Sequence, residues 1–212
     1  MTSASNTLKQ WIFINGPSGA GKTTAVCTLE DRYGYRALKV GPYFRAKADS
    51  LQDSSLRIAM ALRSPVPSHY IEQYICEHAA LDGKVFLVDG LPRDEDDIML
   101  IDELAPLYFC PVYVSIRISF GASVDRVRRR SVCVKCGTVG KTAVCSGCGS
   151  STVLRSDDSQ MDMRILRERY DAMQCVVHTL SQEHKVYIVD GSKSTDEVAN
   201  DVQGAIRLAS CY

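Results

Sequence analysis

A glycine-rich segment that directly follows a short apolar run is the feature that most constrains how this chain folds. The run Trp11–Asn15 is typical of a buried strand, and Gly16-Pro17-Ser18-Gly19-Ala20-Gly21-Lys22-Thr23-Thr24 follows it. Glycines at this spacing let backbone N–H groups converge on a polyphosphate at a helix N-terminus, where the helix dipole also favours negative charge. Lys22 would reach the β- and γ-phosphates, and the Thr23 hydroxyl would help to hold Mg²⁺. We therefore predict a nucleotide-binding phosphate loop, formed by Gly16 and Ser18–Thr24.

Strand-like and helix-like segments alternate along the rest of the chain. The further predicted strands are Arg36–Val40, Val85–Asp89, Val112–Ile118 and Val186–Asp190. The predicted helices are Lys22–Tyr33, Ser54–Arg63, Ser68–Leu81, Asp94–Leu104, Ser123–Arg130, Asp162–Gln182 and Thr195–Leu208. Such alternation requires helical crossovers between parallel strands. The pattern predicts an α/β fold with a five-stranded parallel sheet and helices on both faces.

Four cysteines form two closely spaced pairs. They are Cys133 with Cys136 and Cys145 with Cys148, and eight residues separate the pairs. This is the spacing of a tetrahedral zinc site with no open position, whereas a redox-active Cys-x-x-Cys pair is the competing interpretation. The surrounding segment, Ser131–Ser156, is poor in large apolar residues and cannot form an apolar core of its own. We therefore predict a structural Zn²⁺ that clamps this segment.

The composition argues against several classes of partner. Lys plus Arg and Asp plus Glu both number 25, so no net charge draws the chain towards nucleic acid or membrane. The longest apolar runs are far shorter than the roughly 20 residues of a membrane-spanning helix. Residues Met1–Gln10 lack the pattern of a targeting segment, and the odd count of nine cysteines argues against a disulfide framework. We expect a cytoplasmic monomer that binds neither nucleic acid nor membrane.

A second motif joins the phosphate loop at the end of the third predicted strand. Its sequence is Asp89-Gly90-Leu91-Pro92-Arg93. With this motif the chain resembles the adenylate kinase family of nucleoside monophosphate kinases, which carry an Asp-Gly-aromatic-or-aliphatic-Pro-Arg signature at this place. The resemblance runs from Gly16 to Val189-Asp190-Gly191 and includes a zinc-bearing lid, although the family usually has more residues between the cysteine pairs.

The resemblance implies a P-loop NTPase fold in one kinase domain over residues 1–212. Its core would comprise 8–40, 82–130 and 157–212, with a helical insertion for the nucleoside monophosphate at 41–81 and the zinc lid at 131–156. The implied reaction is direct in-line transfer from Mg-ATP to AMP, giving two ADP.

The resemblance also implies roles for individual residues. Asp89 would order Mg²⁺ and its waters, and Gly191 would lie in the turn that contacts the adenine of ATP. Lys22 and the arginines Arg126, Arg130 and Arg155 would stabilise the charge on the transferring phosphoryl group. The residues implied in binding of the monophosphate are Val40, Arg45, Val66, Gly90, Arg93, Asp97, Arg155, Arg164 and Arg167. Arg126 and Arg130 are predicted to lie one turn apart on one helix face.

Three positions depart from the family pattern, and at one of them Val40 replaces a family threonine. A family arginine falls at Leu166, and Arg164 and Arg167 are the neighbouring substitutes. The glutamine that reads adenine is replaced by Asp97, which as an ionised acceptor suits the amino and imino edges of cytosine or guanine at least as well. Asp97 could equally be a surface residue of the acidic run Asp94–Asp97. These departures leave two alternatives open, namely a kinase for CMP, UMP or GMP and a non-catalytic nucleotide-binding pseudokinase. The cysteine pairs and the basic residues that flank them leave a third, a nucleic-acid-binding ATPase.

Overall fold

The computed structural model describes residues 9–50, 54–62, 66–135, 139–140, 142–145, 148–154 and 162–209. The strands are β1 Lys9–Asn15, β2 Arg36–Lys39, β3 Val85–Asp89, β4 Phe109–Arg117, β5 Ser131–Cys133, β6 Val139–Gly140, β7 Thr152–Leu154 and β8 Val186–Asp190. The helices are α1 Lys22–Tyr33, α2 Val40–Ser50, α3 Ser54–Leu62, α4 Ser68–Ala79, α5 Glu95–Tyr108, α6 Phe120–Arg128, α7 Met163–Glu183 and α8 Thr195–Ala209.

Five of the strands form one parallel sheet in the order β2-β3-β1-β4-β8. The first strand is central, and Ile14 is paired in register with both Asp89 and Val114. Because all five strands run the same way, their carboxyl ends meet at one edge of the sheet. That edge is where open α/β sheets bind ligands. The predicted five-stranded parallel sheet is confirmed.

Alternate residues of the central strands face two separate cores. Trp11 and Phe13 pack on one face against the helices α2, α3, α4, α5 and α7. Ile12 and Ile14 pack on the other face against α1 and α8. Strands buried on both faces read as continuous apolar runs, which explains the sequence of β1. Helices cover both faces, as predicted.

One helix begins where the sequence pattern predicted a strand end. The prediction extended the second strand to Val40, but β2 ends at Lys39 and α2 begins at Val40. Gly41 and Pro42 concealed this helix, because both residues usually interrupt helices. In the first helical turn proline costs little, since its missing N–H would have no intrahelical partner there.

The placement of Arg130 on a helix was wrong. Helix α6 ends at Arg128, and the backbone N–H of Arg130 donates to the Val127 carbonyl in the turn that follows. Arg126 and Arg130 therefore do not share a helix face.

The segment after α6 forms a small antiparallel sheet in the order β6-β5-β7. Ser131 pairs with Leu154 on one side and with Gly140 on the other. Several aliphatic side chains of this segment are exposed, namely Val134, Val144, Val153 and Leu154.

Within the described part of the chain, no helix has the length and apolar character needed to cross a membrane.

Candidate active site

The phosphate loop lies between β1 and α1 at the carboxyl edge of the sheet. Gly16 adopts φ 139°, and a Cβ at this position would lie 2.3 Å from the Ile116 carbonyl oxygen of the neighbouring strand. Only glycine fits so close to a neighbouring backbone. The loop then turns into α1, whose N-cap is Gly21. The predicted strand, loop and helix are all present at these residues.

Lys22 folds over its own loop. Its Nζ donates to the carbonyl oxygens of Gly16 at 2.6 Å and Pro17 at 3.0 Å. Burial lowers the pKa of Lys22 below its usual value, and the nearby charge of Arg130 lowers the pKa further, whereas the carboxylate of Asp89 opposes both effects. The same electrostatic contacts place the charges of Asp89 and Arg130 near the loop.

Thr23 and Asp89 form a pair of oxygen ligands at the start of α1. The Thr23 hydroxyl donates to Asp89 Oδ2 at 2.6 Å. The pair bridges β1–α1 and the end of β3, two segments that are 66 residues apart in the sequence. Hydroxyl and carboxylate oxygens are hard ligands of the kind that Mg²⁺ prefers. These two side chains could therefore hold a magnesium ion beside the loop.

Helix α6 is fastened to the other side of the loop. The Ser123 hydroxyl donates to the Ser18 carbonyl at 2.7 Å, and Arg126 Nη1 donates to the Gly19 carbonyl at 3.3 Å. The charge of Arg126 also helps to lower the pKa of Asp190, after the larger effect of the hydrogen bonds from Ser192. Arg126 thus lies against the loop. Sequence reasoning missed Ser123, since nothing in its neighbourhood marks a long-range contact.

Gly191 is buried where the turn after β8 meets the phosphate loop. Its N–H donates to the Arg117 carbonyl at 2.8 Å. A Cβ at this position would lie 2.7 Å from Ile116 Cγ2 and 3.0 Å from the Ala20 carbonyl oxygen. The predicted adenine-contacting turn is therefore in direct contact with the loop.

Arg93 and Asp97 form a largely buried pair after the cis Leu91–Pro92 bond. Asp97 Oδ2 accepts from the Arg93 backbone N–H at 2.8 Å and from Arg93 Nε at 3.2 Å. Asp97 is only 3% exposed, so the interpretation of Asp97 as a surface residue was wrong. Burial raises the pKa of the Asp97 carboxyl above its usual value, although the charge of Arg93 opposes this increase.

The other residues assigned to the monophosphate lie on and around α2. Val40 and Val66 are buried, and a Cβ at Gly90 would lie 3.7 Å from Val40 Cβ. Arg45 is exposed, and its guanidinium folds back towards the start of α2, where a Cβ at Gly41 would lie 3.5 Å from Arg45 Nη1. The structure thus gathers Val40, Gly90 and Arg45 at the ends of β2 and β3.

Arg164 and Arg167 lie on α7, and the ion pairs of both arginines are local. Arg164 pairs with the helix N-cap Asp162, and its side chain is 86% exposed. Arg167 pairs with Asp171 at 2.9 Å and stacks 5.0 Å from the centre of the Phe120 ring. Leu166 turns inward and packs with Val124 and Val127 of α6. Leu166 thus occupies an inward-facing position, and Arg164 and Arg167 lie on the exposed side of the helix.

Three of the four paired cysteines converge in the lid. The Sγ atoms of Cys133, Cys145 and Cys148 all lie within 4.8 Å of one another, and Cys133 Sγ is 3.4 Å from Cys148 Sγ. A tetrahedral four-sulfur zinc site with bonds of 2.3 Å places its sulfurs about 3.8 Å apart. The Lys135 backbone N–H also donates to Cys133 Sγ at 3.4 Å, a contact that favours a thiolate. The predicted fourth ligand Cys136 and the predicted catalytic Arg155 lie outside the described residues.

Asn15 is a buried polar residue that sequence reasoning passed over. It ends β1 next to the loop, is 1% exposed, and neither atom of its side-chain amide has a hydrogen-bond partner among the described residues. The alternation along β1 directs it to the same face as Phe13, on the side of α2, α4 and α5. It read as part of the apolar run because only the fold shows what surrounds it.

The parallel sheet, the phosphate loop and the Thr23–Asp89 pair define a P-loop protein that binds nucleoside phosphates. Comparison with known proteins identifies the family within this class of P-loop proteins. Residues 15–132 match the AAA domain family, and since this match covers more than half of the chain, the chain belongs to that family.

The chain is also similar to curated adenylate kinases over most of its length. It is 28% identical to that of Haloarcula marismortui, over 92% of this chain and 95% of the relative. It is also 28% identical to that of Thermococcus onnurineus, over 88% and 89%, and to that of Erythrobacter litoralis, over 92% and 99%. The expected resemblance is confirmed, and the chain is a phosphotransferase.

Proposed function

We propose that the chain is a nucleoside monophosphate kinase that transfers the γ-phosphoryl group of Mg-ATP to AMP, giving two ADP by direct in-line transfer. The proposal rests mainly on one observation. Hydrogen bonds group four side chains around one phosphate loop, namely Lys22, Thr23, Asp89 and Arg126. The names of the relatives support the same activity.

Lys22 would change partners when ATP binds. Its Nζ donates to two loop carbonyls in this structure, and these are neutral acceptors. Phosphate oxygens carry full charge and form stronger hydrogen bonds with an ammonium group. The lysine is thus held near the position of the β- and γ-phosphates before ATP arrives, which lowers the cost of ordering its long side chain.

Thr23 and Asp89 would hold Mg²⁺ with the nucleotide. When bound, Mg²⁺ supplies neutralisation of the charge that develops between the β- and γ-phosphates. The chain's own contribution is the pairing of the two side chains at 2.6 Å, which keeps both oxygens at the mouth of the loop.

The arginines would surround the transferring group and the acceptor. Arg126 lies against the loop, and Arg130 lies close enough to influence Lys22. We assign Arg93 and Arg45 to the phosphate of the acceptor, and Arg155 to the transferring group. Forked guanidinium groups fixed around a phosphoryl group stabilise its negative charge without a covalent enzyme intermediate.

The acceptor side and the lid would move relative to the core. We propose that residues 41–81 bind the nucleoside monophosphate and that residues 131–156 close over ATP, which excludes water and suppresses ATP hydrolysis. Cys133, Cys136, Cys145 and Cys148 would hold Zn²⁺, whose chemistry when bound is a structural cross-link. The converging sulfurs and the scarcity of buried apolar side chains among the described lid residues support this assignment.

A coupled assay of diphosphate formation tests the proposal. The zinc-loaded protein is supplied with Mg-ATP and, separately, with AMP, CMP, GMP and UMP. We expect ADP formation with AMP, its loss in Lys22→Met, and unchanged turnover in the matched control Lys84→Met, since Lys84 is exposed at the opposite edge of the sheet. Preference for another base would change the acceptor in the proposal. No product with any of the four acceptors would refute it.

A further inference from the structure

Asp97 is held through its main chain by Asp94 and through its side chain by Arg93. Asp97 lies in the first turn of α5, where its backbone N–H donates to Oδ1 of the N-cap residue Asp94 at 2.9 Å. Its side-chain Oδ2 accepts both the backbone N–H and the Nε–H of Arg93. One oxygen therefore holds the main chain and the side chain of the same arginine.

We propose that Asp97 is a positioning residue, which holds the Arg93 guanidinium for the phosphate of the acceptor nucleotide and does not read the acceptor's base. The inference rests on the proposed function, because it takes Arg93 as a ligand of that phosphate. It also assigns a different role to the position at which the resemblance implied base recognition.

The burial of Asp97 and the use of its Oδ2 by Arg93 disfavour base reading in this arrangement. The residue is 3% exposed, and Oδ2 already accepts two donors. Turning the carboxylate towards a base would break both hydrogen bonds and release Arg93. It would also leave the Arg93 donors without their charged acceptor, which is costly for a group that is largely out of water.

The remaining donors of Arg93 suit a phosphate. Asp97 uses only Nε of the guanidinium, and Nη2 is buried without a hydrogen-bond partner among the described residues. A guanidinium anchored through Nε keeps its Nη groups in a fixed plane, and this geometry matches two oxygens of one phosphate. Since the phosphate is common to every nucleoside monophosphate, loss of Asp97 should weaken all acceptors equally.

Calorimetric titration of AMP, CMP, GMP and UMP tests the inference without requiring turnover. We expect Asp97→Ala to raise the Kd of every monophosphate that binds by about tenfold to a hundredfold, the range for losing a hydrogen bond to a charged group. The ratios of Kd between bases should stay unchanged. Asp97→Asn keeps an acceptor oxygen in the same place and should lose less affinity, so it serves if the alanine variant folds poorly.

The neighbouring Asp96→Ala is the matched control, because Asp96 is exposed in the same helical turn. Its Kd values should equal those of the wild type. A second readout is the Nε–Hε signal of Arg93 in ¹⁵N spectra, identified by its disappearance in Arg93→Lys. This signal should be sharp in the wild type and broadened by solvent exchange in Asp97→Ala.

The outcomes separate the two proposals. A change in the ratio between bases, or an unchanged Kd in Asp97→Ala, would overturn the inference while turnover still supports the kinase. If Asp97→Ala weakens the binding of every monophosphate equally while the wild type forms no diphosphate, the inference is supported and the kinase activity is refuted. Failure of all four monophosphates to bind the wild type would overturn the positioning role as well.

Discussion

Replacing Gly191 by alanine should push the phosphate loop away from the turn after β8. The added Cβ would lie 2.7 Å from Ile116 Cγ2, 2.8 Å from Ile118 Cγ2 and 3.0 Å from the Ala20 carbonyl oxygen. Ile116 is fully buried within the sheet and cannot move aside. The turn cannot withdraw without losing the hydrogen bond from the Gly191 N–H to the Arg117 carbonyl. The strain must therefore be shared between the loop and the turn.

Overpacking of this kind costs about 1–3 kcal/mol of unfolding free energy. For a chain of this size each kcal/mol corresponds to about 2–4 °C in Tm, so the midpoint should fall by roughly 2–12 °C. Urea unfolding followed by circular dichroism gives the free energy. Because the displaced Ala20 belongs to the loop, we also expect the KM for ATP to rise by about tenfold, the equivalent of about 1.4 kcal/mol. The KM for the acceptor should not change.

Gly204 provides the matched control. It lies within α8, and a Cβ built there meets nothing within 4 Å. Gly204→Ala should therefore stabilise the protein by about 0.5–1 kcal/mol through its higher helix propensity, with no effect on ATP. Gly191→Ala with wild-type stability and KM would refute the close-contact argument. So would equal destabilisation by both substitutions.

Three further predictions concern charge, metal and buried polarity. The pH dependence of stability should differ between the wild type and Lys22→Met. Because the pKa of Lys22 is lowered, the folded protein loses this proton at a lower pH than the unfolded chain does. The stability of the wild type relative to Lys22→Met should then rise with pH below the usual value of 10.5. Removing zinc with a chelator, or replacing Cys145 by serine, should lower Tm and increase hydrogen exchange in the lid strands while the sheet stays protected. Asn15→Leu should raise the unfolding free energy by about 1–3 kcal/mol, because an apolar side chain of similar shape removes two unpaired buried polar atoms.

Each of these predictions has an outcome that contradicts it. A stability difference between wild type and Lys22→Met that does not change with pH would show that Lys22 keeps its usual pKa, and a difference that falls with pH would show that this pKa is raised in the folded protein. An unchanged melting curve in protein shown to be free of zinc would argue against a structural metal. Lower stability of Asn15→Leu would show that the amide has partners that offset its burial.

Local sequence determined the strand–loop–helix unit and the class of fold. Trp11–Asn15 is apolar enough to be buried on both faces, and the glycines and Lys22 that follow are defined by spacing alone. Such features depend on neighbours in the sequence, so a pattern can identify them. Four of the five parallel strands followed for the same reason, since each contains a short apolar run bounded by helical segments. The signal for β2 was weaker, because this strand begins with Arg36 and ends with Lys39.

Tertiary structure decided which polar residues form hydrogen bonds and ion pairs with one another. The sequence indicated either a base-reading residue or an exposed member of an acidic run at Asp97. In the structure Asp97 is buried at the start of α5, where it pairs with Arg93. Ser123 meets Ser18 only because β4 lies beside β1 and brings α6 to the loop. The role of a polar side chain depends on the partners that replace water around it. Partners separated by many residues are set by the packing of the sheet, and no local pattern records them.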